Sequence, residues 1–177
     1  MKNDNLYLID KKEGLSLEFS NLISMMNYTR ETTIAEVANL SIEQLDFLIN
    51  EKANSIGMLL SHMNSIEKAY QIDTFENREF TEDDIEMLNP GLNLGKIAQI
   101  QIKEKPVDFY LEQLVETRNK TIEKFKTFED SWLYSQSPFW EGKLANNYFK
   151  WFHVFEDELN HRGQIRLIKK IINLTTV

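Results

Sequence analysis

Apolar side chains recur every three or four positions along four long stretches of the chain, the spacing that places them on one face of an α-helix. These stretches cover about residues 15–37, about 54–70, a segment that begins at Pro106, and about 144–173. The apolar faces of the first three are formed by Leu15, Leu22, Met26 and Val37, by Ile56, Leu59, Leu60, Met63 and Tyr70, and by Val107, Tyr110, Leu111, Leu114, Ile122 and Phe125. No segment between them shows the period of a strand. The pattern therefore predicts an all-α fold, a four-helix bundle.

Two connecting segments, residues 39–53 and 71–105, are longer than a minimal up-down bundle requires. Ser41 and Gln44 have the spacing of a capping box and predict a short helix in the first segment. Thr81 and Asp84 predict a second short helix, and the Asn-Pro-Gly run at residues 89–91 is expected to break the chain. Long crossover loops of this kind either carry function or decorate the fold, and the pattern leaves both open.

The composition limits the architecture and the class of function. A chain of 177 residues, 42% of them hydrophobic, can bury a core without a disulfide or a metal, and we expect one domain over residues 1–177. The lack of cysteine excludes disulfides, thiolate nucleophiles and Cys-type zinc sites. A net charge of −8 argues against nucleic acid as a partner. Because the sequence has neither a membrane-length apolar run nor a signal-peptide core, we expect a cytoplasmic protein with no membrane partner.

The fourth helical stretch carries an acid and a histidine within an otherwise aliphatic stripe. That stripe is formed by Val154, Asp157, His161, Ile165, Ile168 and Ile172. A second apolar set on the opposite side is formed by Phe149, Phe152, Phe155 and Leu159. Apolar residues on both sides predict a central helix, and burying an unpaired carboxylate is costly. Asp157 and His161 are therefore expected to pair with each other, to act as an acid–base couple, or to bind a metal together.

Histidine is scarce, which makes its placement informative. Of the 3 histidines in the chain, His62 lies at the edge of the apolar face of the second stretch, between Leu59 and Ile66. His153 lies one turn before Asp157 on the same side of the fourth stretch. A single histidine in such a position is usually a core residue bonded to backbone. Histidines confined to the inner parts of two helices favour a shared site instead.

Two segments resemble motifs of a known family. The sequence NSIGMLLSH at residues 54–62 is similar to the second-helix motif of the DinB-like superfamily. The sequence WFHVFEDELNHRGQI at residues 151–165 is similar to its fourth-helix motif, and the His-Arg-Gly-Gln run at residues 161–164 is the most specific part. The resemblance covers most of the chain in helix order but leaves residues 75–102 unplaced. It implies a four-helix bundle that is often a homodimer and holds a divalent metal through three histidines.

The resemblance also implies a ligand set, with one departure from the family pattern. His62 matches the ligand of the second helix and His161 the last ligand of the fourth, whereas Asp157 stands where the family usually has histidine. A carboxylate would neutralise one charge of a divalent ion and approaches the 2-His-1-carboxylate pattern of non-haem iron. The expected ligands are His62, Asp157 and His161, holding zinc or nickel, with iron or manganese as alternatives.

Three other polar residues of the fourth stretch have secondary roles in this interpretation. His153 is the alternative third ligand if Asp157 turns away. Glu156 and Gln164 are candidates to orient the ligating imidazoles, because such rings commonly donate their second N–H to a neighbouring acceptor.

The superfamily includes bacterial enzymes that transfer low-molecular-weight thiols, such as bacillithiol or mycothiol, or that hydrolyse related substrates. The resemblance therefore implies a metal-dependent enzyme that transfers a small thiol or hydrolyses a small substrate. A non-catalytic helical dimer with a degenerate metal site is the alternative. A third hypothesis is a module that binds a partner helix through Trp132, Trp140 and the Phe-rich segment 149–155.

Overall fold

The computed structural model describes residues 5–175, with side chains through residue 173; residues 1–4 and 176–177, the ends of the predicted domain, lie outside the described residues. The helices are α1 (Leu17–Val37), α2 (Ile42–Asp46), α3 (Ile56–Tyr70), α4 (Glu82–Asn93), α5 (Gly95–Gln101), α6 (Val107–Phe125), α7 (Asp130–Leu133) and α8 (Asn147–Thr175). A π-helix, Gln71–Glu76, continues α3. Strands β1 (Gln136–Pro138) and β2 (Leu144–Asn146) pair antiparallel before α8, with Ser137 opposite Ala145.

The four long helices form a closed ring of contacts, in which α1 packs on α8, α8 on α3, α3 on α6, and α6 on α1. Serine side chains start two of them, because Ser16 accepts a hydrogen bond from the Phe19 backbone N–H and Ser55 accepts one from Met58. The all-α prediction is confirmed, and the apolar faces predicted for α1 and α3 are buried. No helix within residues 5–175 is long and apolar enough to cross a membrane.

The core has two apolar parts with a charged layer between them. One part surrounds Phe19, Phe125 and Trp151, and the other surrounds Leu60 and Ile165. Between them lie four buried charged side chains, one from each long helix: Arg30, Glu67, Arg118 and Glu158. We call this group the charged layer.

The connecting segments differ from the sequence prediction in two places. The expected break at residues 89–91 is wrong, because α4 continues through Pro90 to Asn93. Close packing of α4 on α3 outweighs the local preference of proline: Gly91 lies so near α3 that an added Cβ would come within 3.0 Å of the Ser61 carbonyl oxygen. The hairpin was missed, because strands of three residues are too short to show a period.

The predicted second apolar side of α8 is only partly buried. Phe155 belongs to the core, but Phe149, Phe152 and Leu159 are exposed. These three residues form an apolar strip on the outer surface of α8, which we call the α8 strip. The expectation that both sides of α8 face the core is therefore wrong.

Candidate metal site

The structure brings His62, Asp157 and His161 together in the groove between α3 and α8. One nitrogen or oxygen atom from each lies within 4.8 Å of the other two. The Nε2 atom of His161 is 3.4 Å from Asp157 Oδ1, and Nε2 of His62 is 3.6 Å from Asp157 Oδ2. The two imidazole rings meet edge to face with centroids 4.7 Å apart. These are the three residues that the sequence resemblance selected.

The backbone of α4 holds the imidazole of His62 in a defined orientation. Its Nδ1 lies 2.8 Å from the carbonyl oxygen of Gly91. A carbonyl only accepts hydrogen bonds, so Nδ1 carries the proton and the Nε2 lone pair of the neutral ring faces Asp157 and His161. Gly91 permits this contact because any side chain there would collide with Ser65 of α3. The carbonyl of Gly91 thus has, for His62, the orienting role that the sequence predicts for Glu156 and Gln164.

The electrostatics of the cluster favour a positive charge between its members. Burial raises the pKa of Asp157, but the two histidines outweigh burial and hold it well below its ordinary value. Burial lowers the pKa of His62, yet the Asp157 carboxylate and the Gly91 carbonyl outweigh it and raise that pKa. Asp157 therefore stays ionised at neutral pH, and a cation and a proton would compete for Nε2 of His62.

Unpaired atoms within the cluster fit a metal ion better than a closed hydrogen-bond network. Oδ2 of Asp157 and Nδ1 of His161 are buried and have no hydrogen-bond partner among the described residues. Ligands at about 2.0–2.2 Å from one tetrahedral ion lie about 3.3–3.6 Å from each other. The two histidines lie 3.4 and 3.6 Å from different oxygens of Asp157, and all three donors lie within 4.8 Å of one another, so small side-chain shifts would bring them to that spacing. The residues present can therefore hold a divalent ion without moving far.

His153 lies outside this cluster and belongs to a neighbouring cleft. Its Nδ1 donates a hydrogen bond of 3.0 Å to Glu156 Oε2, and its ring packs edge-on against Trp140 and Tyr70. Glu156 thus orients His153 rather than a member of the cluster, and Gln164 is exposed. The alternative in which His153 is the third ligand receives no geometric support.

The cleft opens one helical turn from the cluster, between α3, the π-helix and the hairpin. It has a volume of about 750 Å³, the size of a small-molecule pocket. Its apolar wall includes Ile66, Tyr70, Phe80, Phe139 and Trp140, and its polar side includes Asp73, Asn77, Arg78, Ser137 and His153. Burial and the negative charges of Asp73 and Asp157 raise the pKa of Tyr70, which joins the cleft to the cluster electrostatically. We call this feature the hairpin cleft.

The charged layer, which the sequence did not predict, adjoins the cluster along two helices, since Glu67 follows His62 in α3 and Glu158 follows Asp157 in α8. Arg30 donates to both oxygens of Glu158 at 3.0 and 3.2 Å and to Glu67 at 3.1 Å. Arg118 donates to the two oxygens of Glu67 at 2.8 and 3.0 Å, and Thr121 adds a further bond of 2.7 Å. Because Glu158 follows Asp157 in α8, this layer fixes the helix segment that carries two of the three cluster residues.

Comparison with known proteins places the chain in a family. Among curated proteins, none matches it. A family model described as mycothiol-S-transferase matches residues 21–173, a segment that includes His62, Asp157 and His161. This match confirms the DinB-like resemblance, and since it covers far more than half of the sequence, the chain belongs to the mycothiol-S-transferase family.

Proposed function

We propose that the chain is a metal-dependent transferase of a low-molecular-weight thiol, with His62, Asp157 and His161 as the metal ligands. The carrying observation is the convergence of three donor side chains from two helices, together with a buried oxygen of Asp157 that has no hydrogen-bond partner among the described residues. The family description supports thiol transfer over the hydrolysis that the sequence also allowed. A divalent ion in this position would act as a Lewis acid that favours the thiolate form of a sulfur nucleophile.

The residues around the cluster would form the substrate-binding site and orient the ligands. The hairpin cleft would hold the thiol and the electrophilic molecule that accepts it, and its aromatic wall would exclude water from the reacting atoms. The backbone carbonyl of Gly91 would keep the Nε2 lone pair of His62 available, as hydrogen-bonded outer groups do for ligating imidazoles.

Titration calorimetry of chelator-treated protein with zinc, nickel, manganese and iron tests the ligand set. We expect about one equivalent of at least one ion to bind per chain, zinc or nickel most tightly. The metal-loaded protein should then consume a small thiol in the presence of an alkylating electrophile. No uptake of any ion would eliminate the metal-dependent transferase.

Variants of Asp157 separate a ligand from a structural acid. Asp157→His restores three imidazoles and should retain stoichiometric binding. Asp157→Ala removes one ligand and should weaken metal binding strongly. Loss of a group that only hydrogen-bonds to a ligand costs roughly 10–100-fold in affinity, and loss of a ligand itself should cost more. If Asp157→Ala binds metal as tightly as wild type and loses the same Tm with and without metal, Asp157 is a structural acid.

The ion-pair distances of Asp157 to both histidines favour one competing candidate, a non-catalytic polar cluster in a helical dimer. That protein would show neither metal uptake nor thiol consumption.

Both candidates include a homodimer, for which the α8 strip offers an exposed apolar surface. Light scattering at micromolar concentration should give twice the chain mass of 20.9 kDa, and Phe152→Ser should shift it towards the monomer. A monomer mass for wild type would refute the dimer. The single domain over residues 1–177, the cytoplasmic location and the lack of a nucleic-acid partner stay predictions from the sequence.

A further inference from the structure

His153 faces the hairpin cleft in a prepared orientation that the metal cluster does not use. Its Nδ1 donates to Glu156 Oε2, and the other oxygen of Glu156 accepts a bond of 2.6 Å from the side-chain amide of Asn160. Trp140 and Tyr70 pack edge-on against the ring at centroid distances of 4.9 and 6.0 Å. The imidazole is therefore held by a hydrogen bond on one side and by two aromatic rings.

The hydrogen bond to Glu156 determines which nitrogen of His153 is available. A carboxylate accepts hydrogen bonds and does not donate them, so the neutral ring carries its proton on Nδ1. Nε2 then presents a lone pair, and it has no partner among the described residues. The side chain of His153 is 17% exposed and lines the cleft, so a bound molecule can reach this nitrogen.

Stability alone does not account for the arrangement. Glu156 is 38% exposed, and a partly exposed contact between side chains of one helix adds little to the free energy of unfolding, even when both partners are charged. An imidazole with one nitrogen bound to a carboxylate and the other open to a cleft is instead the arrangement of a general base.

We propose that His153 is the proton acceptor for the thiol bound in the hairpin cleft, with Glu156 as its positioning residue. This inference rests on the proposed thiol-transfer function. The S–H bond of the thiol breaks, its proton moves to Nε2 of His153, and the electron pair stays on sulfur. Sulfur then forms a bond to the electrophilic carbon of the second substrate, whose leaving group departs with the bonding pair. The imidazolium of His153 then releases the proton to solvent water, or to the leaving group where that group is basic, which restores the neutral ring.

Other charged groups share the surroundings of His153 and belong in any account of its pH dependence. They are Tyr70 on α3, Asp73 on the π-helix, Arg78 and Glu79 on the following segment, and Lys150, Glu156 and Asp157 on α8, where Lys150 pairs with Asp73. Tyr70 does not ionise near neutral pH, since its pKa is raised. A pH limb that disappears only when His153 is replaced therefore reports His153 itself.

The test measures steady-state turnover of a small thiol with an alkyl halide by metal-loaded wild type, His153→Gln and Glu156→Gln. His153→Gln should lower kcat at pH 7 by about 10²–10⁴-fold with little change in KM. Its deficit should shrink towards pH 9–10, because a free thiol with a pKa of about 8.5 then ionises without a base. Glu156→Gln should show a smaller loss and a shifted pH limb. Lys170→Gln, at an exposed position of the same helix, is the matched control and should behave as wild type.

Metal affinity, measured by calorimetry on the same proteins, distinguishes failure of the His153 proposal from failure of the proposed function. His153→Gln should bind metal as wild type does. Weaker metal binding in His153→Gln would make His153 a ligand and overturn its role as base. Unchanged kcat and an unchanged pH profile in His153→Gln would also overturn it, while leaving the thiol transferase intact. Wild type that binds metal but turns over no thiol would overturn both proposals.

Discussion

Replacing Glu67 by glutamine should destabilise the fold strongly, because it removes one negative charge from the charged layer. Glu67 is fully buried and accepts hydrogen bonds from Arg30, Arg118 and Thr121. Glutamine keeps the shape of the side chain, but two guanidinium groups would then share the carboxylate of Glu158 alone. Arg118 would lose most, since its Nη2 is 3.8 Å from Glu158 and its Nη1 has no partner among the described residues.

The expected size of the effect follows from stranding a buried charge. Removing one partner of a buried ion pair costs about 3–5 kcal/mol, because the remaining charge keeps its desolvation penalty. In a chain of this length each kcal/mol lowers the Tm by about 2–4 °C, so Glu67→Gln should lower the Tm by about 6–20 °C. Thermal and urea unfolding of the metal-free protein at pH 7, followed by circular dichroism, measures the change.

Two further variants test the cause. Glu116→Gln on α6 breaks the exposed pair with Lys120 and should unfold as wild type does, because water screens those charges. Glu67→Gln combined with Arg118→Met leaves Arg30 paired with Glu158 and should recover part of the lost stability. A Glu67→Gln Tm within error of the Glu116→Gln value would refute the reasoning that mutual charge compensation holds the layer in the core.

Two other predictions concern α4 and acid. Gly91→Ala should displace the carbonyl that orients His62 and weaken metal binding by about 10–100-fold in calorimetry. Gly163→Ala, where an added Cβ meets open space, is its control, and equal affinities in the two variants would contradict the orienting role. Burial raises the pKa of Glu67, but Arg118 and Arg30 hold it below its ordinary value. Its contribution to stability is therefore complete above about pH 4.3 and is lost as pH falls through the folded pKa, so the Tm should drop on acidification below that pH and not between pH 7 and 5.

The sequence predicted the features that depend on interactions between residues close together in the chain, namely the long helices and their caps. The helical period identified α1, α3, α6 and α8, because a long amphipathic stripe has few alternative structures. The capping boxes at Ser41 and Thr81 are present where their spacing predicted them. His62, Asp157 and His161 were selected by motif, and their assembly in one groove follows from the helix order that the motif implies.

The charged layer could not be assembled from the sequence, although a signal for it was present. Each of its members stands four positions after a buried apolar residue, where the stripe predicts another apolar one. These pairs are Met26 and Arg30, Met63 and Glu67, Leu114 and Arg118, and Val154 and Glu158. Within its own helix, each charged residue looks like one at the boundary between the apolar and polar faces. Only the packing of the four helices shows that the four charges compensate one another.

Tertiary packing also explains the two predictions from the sequence that were wrong, the break in α4 and the second core face of α8. Pro90 predicted a break, but burial of Gly91 against α3 keeps α4 helical through it. Phe149 and Phe152 predicted a core face, but no other long helix covers them within the described residues. The hydrophobicity of a side chain favours its burial, but it does not determine whether the same chain or another molecule buries it.

The neighbouring positions of Asp157 and Glu158 determine how the protein would bind the proposed metal ion. Two arginines hold Glu158, so the rotation of α8 about its axis, and with it the place of Asp157, is set by the folded chain before any ion arrives. The side chains of the cluster have then already lost much of their conformational freedom, and ion capture resembles binding to a rigid chelator. A zinc finger behaves in the opposite way, since its ligands gather only as the metal folds the chain. In this bundle the proposed ion would leave and return while the helices stay assembled, so exchange of one metal for another would not require unfolding.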